Sequence, residues 1–301
     1  MVLFAQARAA VAAAAGDPPV WESDIAAARQ QARDLAVRQP REDVEEVTDV
    51  DADGVRCRLY VPADRRPGVV VHLHGGGFVF HDIDVHDAAT RRLANASGTA
   101  VLSVDYRRPP EHRFPAAPDD VDTVLRWLAA GAGGRTIGPA AGEPAYAHGD
   151  SAGGNLALVA ALRNPGYFAA VALIYPFLDP AAGFDSYRTA ADGFDPREAA
   201  WYWEQYAATP ADLTHPDLAP LRSEAFGTLP PTLVVTAEHD PLRDEGEELA
   251  RRLDDAGVAV TATRYLGQIH GFWRHDTVFD AAGPLLHQVA GFLRLHPGLG
   301  D

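Results

Sequence analysis

A serine with glycine two positions away on each side, Gly149-Asp150-Ser151-Ala152-Gly153, is the most chemically suggestive pattern in this chain. It follows a short apolar run, Ala145–His148, and opens a helix-like stretch, Ser151–Leu162. A hydroxyl held on a strand-to-helix turn stands clear of the backbone, where it can attack an electrophile. Small neighbours spare that turn collisions, and the helix start favours negative charge developing beside it. With six serines and 27 glycines among 301 residues, chance supplies about 0.05 matches, so the pattern is informative without being decisive alone.

A second pattern lies upstream. His74-Gly75-Gly76-Gly77 follows the apolar run Val69–Leu73. Glycines let successive N–H groups turn towards one point, where an oxyanion could sit. A tight structural turn is the plainer reading, and a phosphate cradle finds no Lys or G-x-G-x-x-G to support it.

A serine nucleophile needs a base, and the base needs an orienting acid. In α/β-hydrolases, whose G-x-S-x-G turn this one resembles, the acid and then the histidine follow the serine in the chain. After the apolar run Thr232–Thr236 come His239, His270, His275, His287 and His296. His270 lies just past the last strand-like run, in a loop of the kind that carries active sites; His275 is its nearest rival. His287 and His296 fall in or after the final helical pattern, as surface residues would. Asp240 follows Thr232–Thr236 directly, and its rival Asp244 suits the first turn of the next helix.

The elements that must position these groups are legible. Strand-like runs occur at Val55–Val61, Val69–Leu73, Ala100–Val104, Ala145–His148, Ala170–Tyr175, Thr232–Thr236 and Val258–Tyr265. Most are continuous apolar runs, as expected of strands buried on both faces. Helical patterns lie between and around them at Asp87–Ala96, Pro118–Ala130, Ser151–Leu162, Arg243–Ala256 and Ala281–Leu295. The alternation predicts an α/β fold with a mostly parallel sheet covered on both faces. Two stretches break the rhythm: residues 1–45, with a helix expected over Val2–Ala15, and residues 179–229, rich in aromatics and proline. An insertion of the second kind usually forms a lid or binding element. The Gly/Ala-rich Ala129–Gly142 reads as a surface loop, and the acidic run Glu42–Asp53 as a solvated edge or loop.

Composition removes several mechanisms. All 26 basic residues are arginine, and there is one cysteine, Cys57. Lysine-dependent phosphate loops, Schiff-base chemistry and Ser–Lys hydrolases are therefore excluded. So are intrachain disulfides and cysteine-based zinc sites. A net charge of −16 disfavours nucleic acid. No apolar run approaches the length of a membrane span. The N-terminal Ala tract lacks a basic leader and is interrupted by Arg8, so a cytoplasmic location is expected.

Taken together, these motifs resemble the hormone-sensitive-lipase-like, H-G-G-G branch (family IV) of the α/β-hydrolase carboxylesterases. Gly149–Gly154 resembles its G-D-S-A-G-G. Tyr106-Arg107, Pro110-Glu111-His112 and Phe114-Pro115-Ala116-Ala117 resemble its Y-R-L-A-P-E-H-x-F-P-A-A segment. Asp240–Gly246 resembles D-P-L-R-D-E-G, and His270-Gly271-Phe272 the H-G-F at its catalytic histidine. The similarity runs from about Val55 to Leu295. It implies an α/β-hydrolase fold, with a mostly parallel central sheet of about eight strands flanked by helices and a helical cap. The cap would be built from residues 1–45 and 179–229, and the catalytic core from residues 46–178 and 230–301. It implies Ser151 as nucleophile, Asp240 as acid and His270 as base. The N–H groups of Gly75, Gly76 and Ala152 would form the oxyanion hole. His74, Gly77 and Asp150 would support it, His74 by bracing the glycine loop. The resemblance further implies a small ester substrate of short to medium acyl length, no cofactor and no metal, in a monomer or homodimer. An amidase or deacetylase using the same triad is an alternative. So is a receptor-like member that binds without turnover, although such members lose the histidine present here as His270. Arg108-Pro109 and His81 depart from the family pattern, at what would be the pocket mouth.

Plainer roles remain for other residues. His81–Asp87 looks like ligand material, but helix capping by Asp84 or Asp87 accounts for the acids. Trp201, Tyr202, Trp203 and Tyr206 suit packing on a cap helix, with substrate contact as the second reading. Cys57 reads as a packed thiol, and Arg91-Arg92 and Arg251-Arg252 as solvated helix faces.

Overall fold

The computed structural model describes residues 2–135 and 137–298; Thr136, within the expected Ala129–Gly142 loop, and the two chain ends lie outside them. Eight strands form one sheet: β1 (Glu46–Ala52), β2 (Val55–Val61), β3 (Arg66–Leu73), β4 (Thr99–Val104), β5 (Ala145–Asp150), β6 (Phe168–Ile174), β7 (Thr232–His239) and β8 (Val260–Ile269). Their order is β1-β2-β4-β3-β5-β6-β7-β8. The β1/β2 and β2/β4 pairs are antiparallel and the others parallel.

Nine α-helices are described: α1 (Ala5–Ala14), α2 (Ile25–Ala36), α3 (Asp87–Ser97), α4 (Ala116–Ala129), α5 (Ala152–Arg163), α6 (Ser186–Thr189), α7 (Pro196–Tyr206), α8 (Arg243–Asp255) and α9 (Ala282–Leu295). Alternation along each strand splits the core into two layers. Val69, Val71 and Leu73 of β3 pack with α4, α5 and α8. Val70 packs on the other face, with α3 and α9. The mostly parallel sheet covered on both faces is what the strand–helix alternation predicts, and its eight strands match what the resemblance implies.

Several boundaries moved, for physical reasons. The acidic run contains a true edge strand, β1, whose full antiparallel register with β2 overrides its charge. Asp49 is tolerated there because it faces Arg56 and Arg58. Strands β7 and β8 run further than their apolar cores suggest, to His239 and Ile269, which pair with each other. That extension delivers Asp240 and His270 to the same end of the sheet. Arg92 is not on a solvated face. It is buried, and its guanidinium meets Asp276 at 2.8 Å and the Arg274 carbonyl oxygen at 3.0 Å.

Helices α1 and α2 lie across the carboxyl ends of the strands. The Phe4 N–H donates to the Gly267 carbonyl at 3.0 Å. Arg29 donates to the carbonyls of Val79 and Pro109 and pairs with Glu111. Arg33 pairs with Asp82 at 2.6 Å. Residues 179–229 contribute α6, α7 and several 3-10 turns. Among the described residues no helix is long and apolar enough to cross a membrane.

Candidate active site

Ser151 sits between the last residue of β5 and the first of α5, with φ +55° and ψ −120°. A non-glycine residue in that region is strained, and the strain is held by hydrogen bonds on both sides. The Ser151 N–H donates to Ile174 O at 2.9 Å, and its carbonyl accepts from Asn155 and Phe177. The flanking glycines are sterically required. A Cβ on Gly149 would lie 2.1 Å from the Gly153 carbonyl oxygen, and one on Gly153 would lie 1.9 Å from that of Leu73.

The two strand ends bring the acid and base together. His270 Nε2 lies 2.9 Å from Ser151 Oγ, and His270 Nδ1 lies 2.7 Å from Asp240 Oδ2. Asp240 is fully buried, and its other oxygen accepts the Leu242 N–H at 2.9 Å. A carboxylate on Nδ1 favours the proton there, which leaves the Nε2 lone pair facing the serine hydroxyl. Tyr175 and Phe194 place rings 4.6 and 4.9 Å from the His270 ring and restrict its rotation. The rivals lie elsewhere. Asp244 accepts from the Ser186 N–H at 2.8 Å and pairs with Arg243. His239 faces Asp192, His287 is exposed on α9, and His296 lies against Phe292. His275 is in the cavity wall but not in this chain of hydrogen bonds.

The glycine loop departs from expectation at one position. The Gly75 N–H donates to Asp150 Oδ1 at 2.9 Å, so it is committed and is not available as an oxyanion donor. Gly76 and Gly77 carry the positive φ values, +113° and +59°, and both line the cavity beside Ser151. Among the described residues the N–H groups of Gly76, Gly77 and Ala152 have no protein acceptor. That leaves Gly76 and Gly77 as the loop's uncommitted N–H groups. Spacing alone could not reveal this, because the choice depends on where the Asp150 carboxylate points. Burial raises the pKa of that carboxyl, against the opposing effect of Arg274. His74 ties the loop from below: its Nδ1 lies 2.9 Å from Gly75 O, its carbonyl accepts the Tyr106 hydroxyl at 2.7 Å, and its ring stacks on Tyr106.

The cavity has a volume of about 610 Å³. Ser151, His270, Gly76 and Gly77 open into it, with α1, α2 and α7 contributing the far wall. Of the α7 aromatics, Trp203 and Tyr206 are buried in the core, while Tyr202 lines the cavity and covers Gly77. Trp201 stacks on Phe80. The packing reading thus holds for Trp203 and Tyr206, while Tyr202 is placed on the cavity wall. His81 lines the cavity, but Arg108 does not. Arg108 instead reaches the His81 carbonyl and approaches Asp82 and Asp105.

Sequence inspection missed a buried histidine cluster beneath the loop. His72 and His148 are register partners on β3 and β5, with Nδ1 atoms 2.9 Å apart. His86 completes the group, and the capping expected of Asp84 or Asp87 is absent. Asp82 accepts the N–H groups of Asp84 and Val85 instead, while Asp87 accepts the Tyr60 hydroxyl. Donor atoms of His72, His86 and Asp150 lie within 4.8 Å of one another. The Arg274 charge acts on His86, which raises the cost of placing a dication among them. The only signal in the sequence was that His72 and His148 each stand fourth in an apolar run, Val69–Leu73 and Ala145–His148.

Comparison with known proteins identifies the family. Residues 70–274 match a family model described as an α/β-hydrolase fold. The chain is similar to an ethyl acetate hydrolase of Pseudomonas putida, with 34% identity over 83% of this chain and 81% of that protein. It is also similar to the esterase LipI of Mycobacterium tuberculosis, with 36% identity over 87% of this chain and 85% of the other. The solved structure of an esterase from Pyrobaculum calidifontis superposes with a TM-score of 0.87 and 33% identity, covering 98% of this chain and all (100%) of that one.

Proposed function

The chain belongs to the α/β-hydrolase family, in its hormone-sensitive-lipase-like carboxylesterase branch, and from that premise we propose that it is a serine esterase acting through Ser151, His270 and Asp240. The observation that carries this reading is the unbroken chain of hydrogen bonds from Asp240 through His270 to Ser151 at the floor of the cavity.

His270 Nε2 takes the hydroxyl proton as Ser151 Oγ attacks the ester carbonyl. The carbonyl oxygen becomes an oxyanion and accepts from the N–H groups of Gly76, Gly77 and Ala152. Removing one such donor typically costs about 10²–10³ in rate. His270 then protonates the departing alcohol, leaving an acyl-enzyme. Water, deprotonated by His270, attacks that acyl group, and the acid leaves as Ser151 regains its proton. Asp240 holds the imidazole tautomer and stabilises its charged form. No step calls for a cofactor.

Residues 1–45 and 179–229 act as the cap in this reading, since both supply cavity wall above Ser151. Apolar wall from Phe177, Phe194, Ile269 and Phe279 in a cavity of about 610 Å³ suits esters of short to medium acyl length. Hydrolysis of p-nitrophenyl esters from acetate to dodecanoate, beside matched anilides, tests the substrate class. A maximum among the shorter esters with slow anilides is expected; no hydrolysis anywhere in the series would refute the esterase reading. Ser151→Ala should stay folded, lose turnover and fail to react with a fluorophosphonate, while near-normal turnover in it would sink the nucleophile assignment.

A further inference from the structure

We propose that Arg274 forms an anion subsite within the catalytic cavity, so that the preferred substrates are esters carrying a carboxylate on the acyl or the alcohol part. The proposal rests on the esterase reading for its substrate class, but the subsite itself stands on the geometry of Arg274.

The side chain is sunk below the protein surface and keeps part of its exposure towards the cavity that holds Ser151 and His270. Among the described residues, the other arginines either have a carboxylate within 4.0 Å or are exposed to solvent. Arg274 alone is sheltered without such a partner. Its one side-chain contact is with a neutral ring: Nη2 lies 3.5 Å from His81 Nε2. Asp150 is the acid that acts on it, yet that carboxylate is more than 4.0 Å away and already accepts the Gly75 N–H.

A guanidinium stripped of water and left unpaired is costly, and a fold retains one where a ligand supplies the missing anion. Burial shifts Arg274 downward from its ordinary range. The neighbouring His81 and His275 are held neutral by burial and by Arg274 itself, so they compete for no anion and can donate to one. Asp17 and Glu198 line the same cavity besides Asp150. Burial shifts the Glu198 carboxyl up, and a carboxylate at either place disfavours an anion beside it, which leaves the Arg274 end for one.

The subsite is also preorganised. Arg274 ends a single 3-10 turn that starts two residues beyond His270, after Gly271 at φ +82°. Its carbonyl accepts from buried Arg92, which pairs with Asp276 in the same loop. The guanidinium is thus fixed relative to the reacting groups, with the planar fork that binds a carboxylate through two N–H groups.

The test compares specificity constants as ratios, so that a general loss of activity cancels. For the acyl side the pair is p-nitrophenyl hemiglutarate against p-nitrophenyl valerate. For the alcohol side it is 4-carboxyphenyl acetate against phenyl acetate. The wild type should favour the charged member of one pair, and Arg274→Gln should lower that ratio by about 30-fold or more. Arg274→Lys should recover part of it. Whichever pair responds assigns the carboxylate to acyl or alcohol. Equal losses for charged and neutral esters in Arg274→Gln would make Arg274 only a counter-ion for Asp150 and overturn the proposal. Should that variant not fold, glutarate still tests the wild type. It should compete with p-nitrophenyl butyrate, raising KM and not kcat, beyond the effect of chloride at equal ionic strength. Absence of competition overturns the proposal. If no ester is turned over at all, the esterase reading fails by itself, and calorimetric titration of the resting protein with glutarate still decides whether the subsite exists.

Discussion

Mild acid should unfold this protein cooperatively, because its buried histidines must stay neutral for it to remain folded. His148 is wholly buried, and burial holds its imidazole down to about 3 from the ordinary 6.5. His74 is held down to about 3 by burial and then by Arg108, and His275 to about 3 by burial and then by Arg274. His72, His81 and His86 lie well below the ordinary value for the same first cause. In the unfolded chain all of these rings take up a proton below 6.5, whereas in the native state they do not. The unfolded state therefore binds more protons between about 3 and 6.5, and stability rises with pH across that window. In the downward direction, stability is complete above 6.5 and is lost as the pH falls through it. At pH 5 each ring held neutral costs about 2 kcal/mol, from 1.36 kcal/mol per unit. His74 and His148 each contribute that much and the partly exposed His275 somewhat less, about 5 kcal/mol together. That alone is a large part of the roughly 5–15 kcal/mol by which a domain is stable. Asp105, Asp150, Glu198 and Glu245 act in the opposite sense, since burial raises these carboxyls and their protonation relieves a buried charge. Six rings stand against four acids. The assay is urea unfolding followed by circular dichroism from about pH 8 to about pH 5. The midpoint should be level down to about 6.5 and then fall steeply, with a shallower fall in His148→Gln. A midpoint unchanged from about pH 7.5 to about pH 5, or resonances assigned to His74 and His148 titrating near 6.5, would refute the reasoning.

Three further outcomes follow from packing and hydrogen bonding. Gly153→Ala should lose about 3 kcal/mol or more, because the Leu73 carbonyl oxygen 1.9 Å from the new Cβ is backbone and cannot swing away. Gly183→Ala, with nothing within 4 Å, should melt at nearly the wild-type temperature in the same scan. Asp150→Ala should leave the buried Gly75 N–H without an acceptor, at about 1–3 kcal/mol, and should lower kcat far more than it changes KM. Asp150→Asn keeps an acceptor and should restore most of the stability; equal kcat in all three proteins would show that the glycine loop needs no anchoring there. Cys57 is fully buried and its thiol is pushed up by burial, so Ellman's reagent should leave it untouched in the native protein and titrate it fully in urea. Rapid reaction in buffer would contradict the packed-thiol reading.

Local chemistry and periodicity made much of this protein legible from its residues. Continuous apolar runs mark strands buried on both faces, and helical spacing between them marks the covering layers. The turn at Ser151 was readable because its geometry tolerates only glycine at positions 149 and 153. Asp240 and His270 were readable because each follows a strand, and the carboxyl ends of parallel strands share one side of the sheet. What escaped depended on distance in space. The commitment of the Gly75 N–H to Asp150 joins residues 75 positions apart. The pairing of His72 with His148 needs the register of two strands separated by two helices and a third strand. Strand β1 was hidden because edge pairing, unlike core burial, leaves no run of apolar side chains. The sheltered state of Arg274 was hidden for the converse reason. An arginine in a charged, loop-like segment looks solvated until the fold shows which acids come within reach, and none does. Sequence determined which groups could react and on which turns they sit. Tertiary structure alone decided which of their hydrogen bonds were already made, because a donor's freedom depends on every chain segment that packs against it.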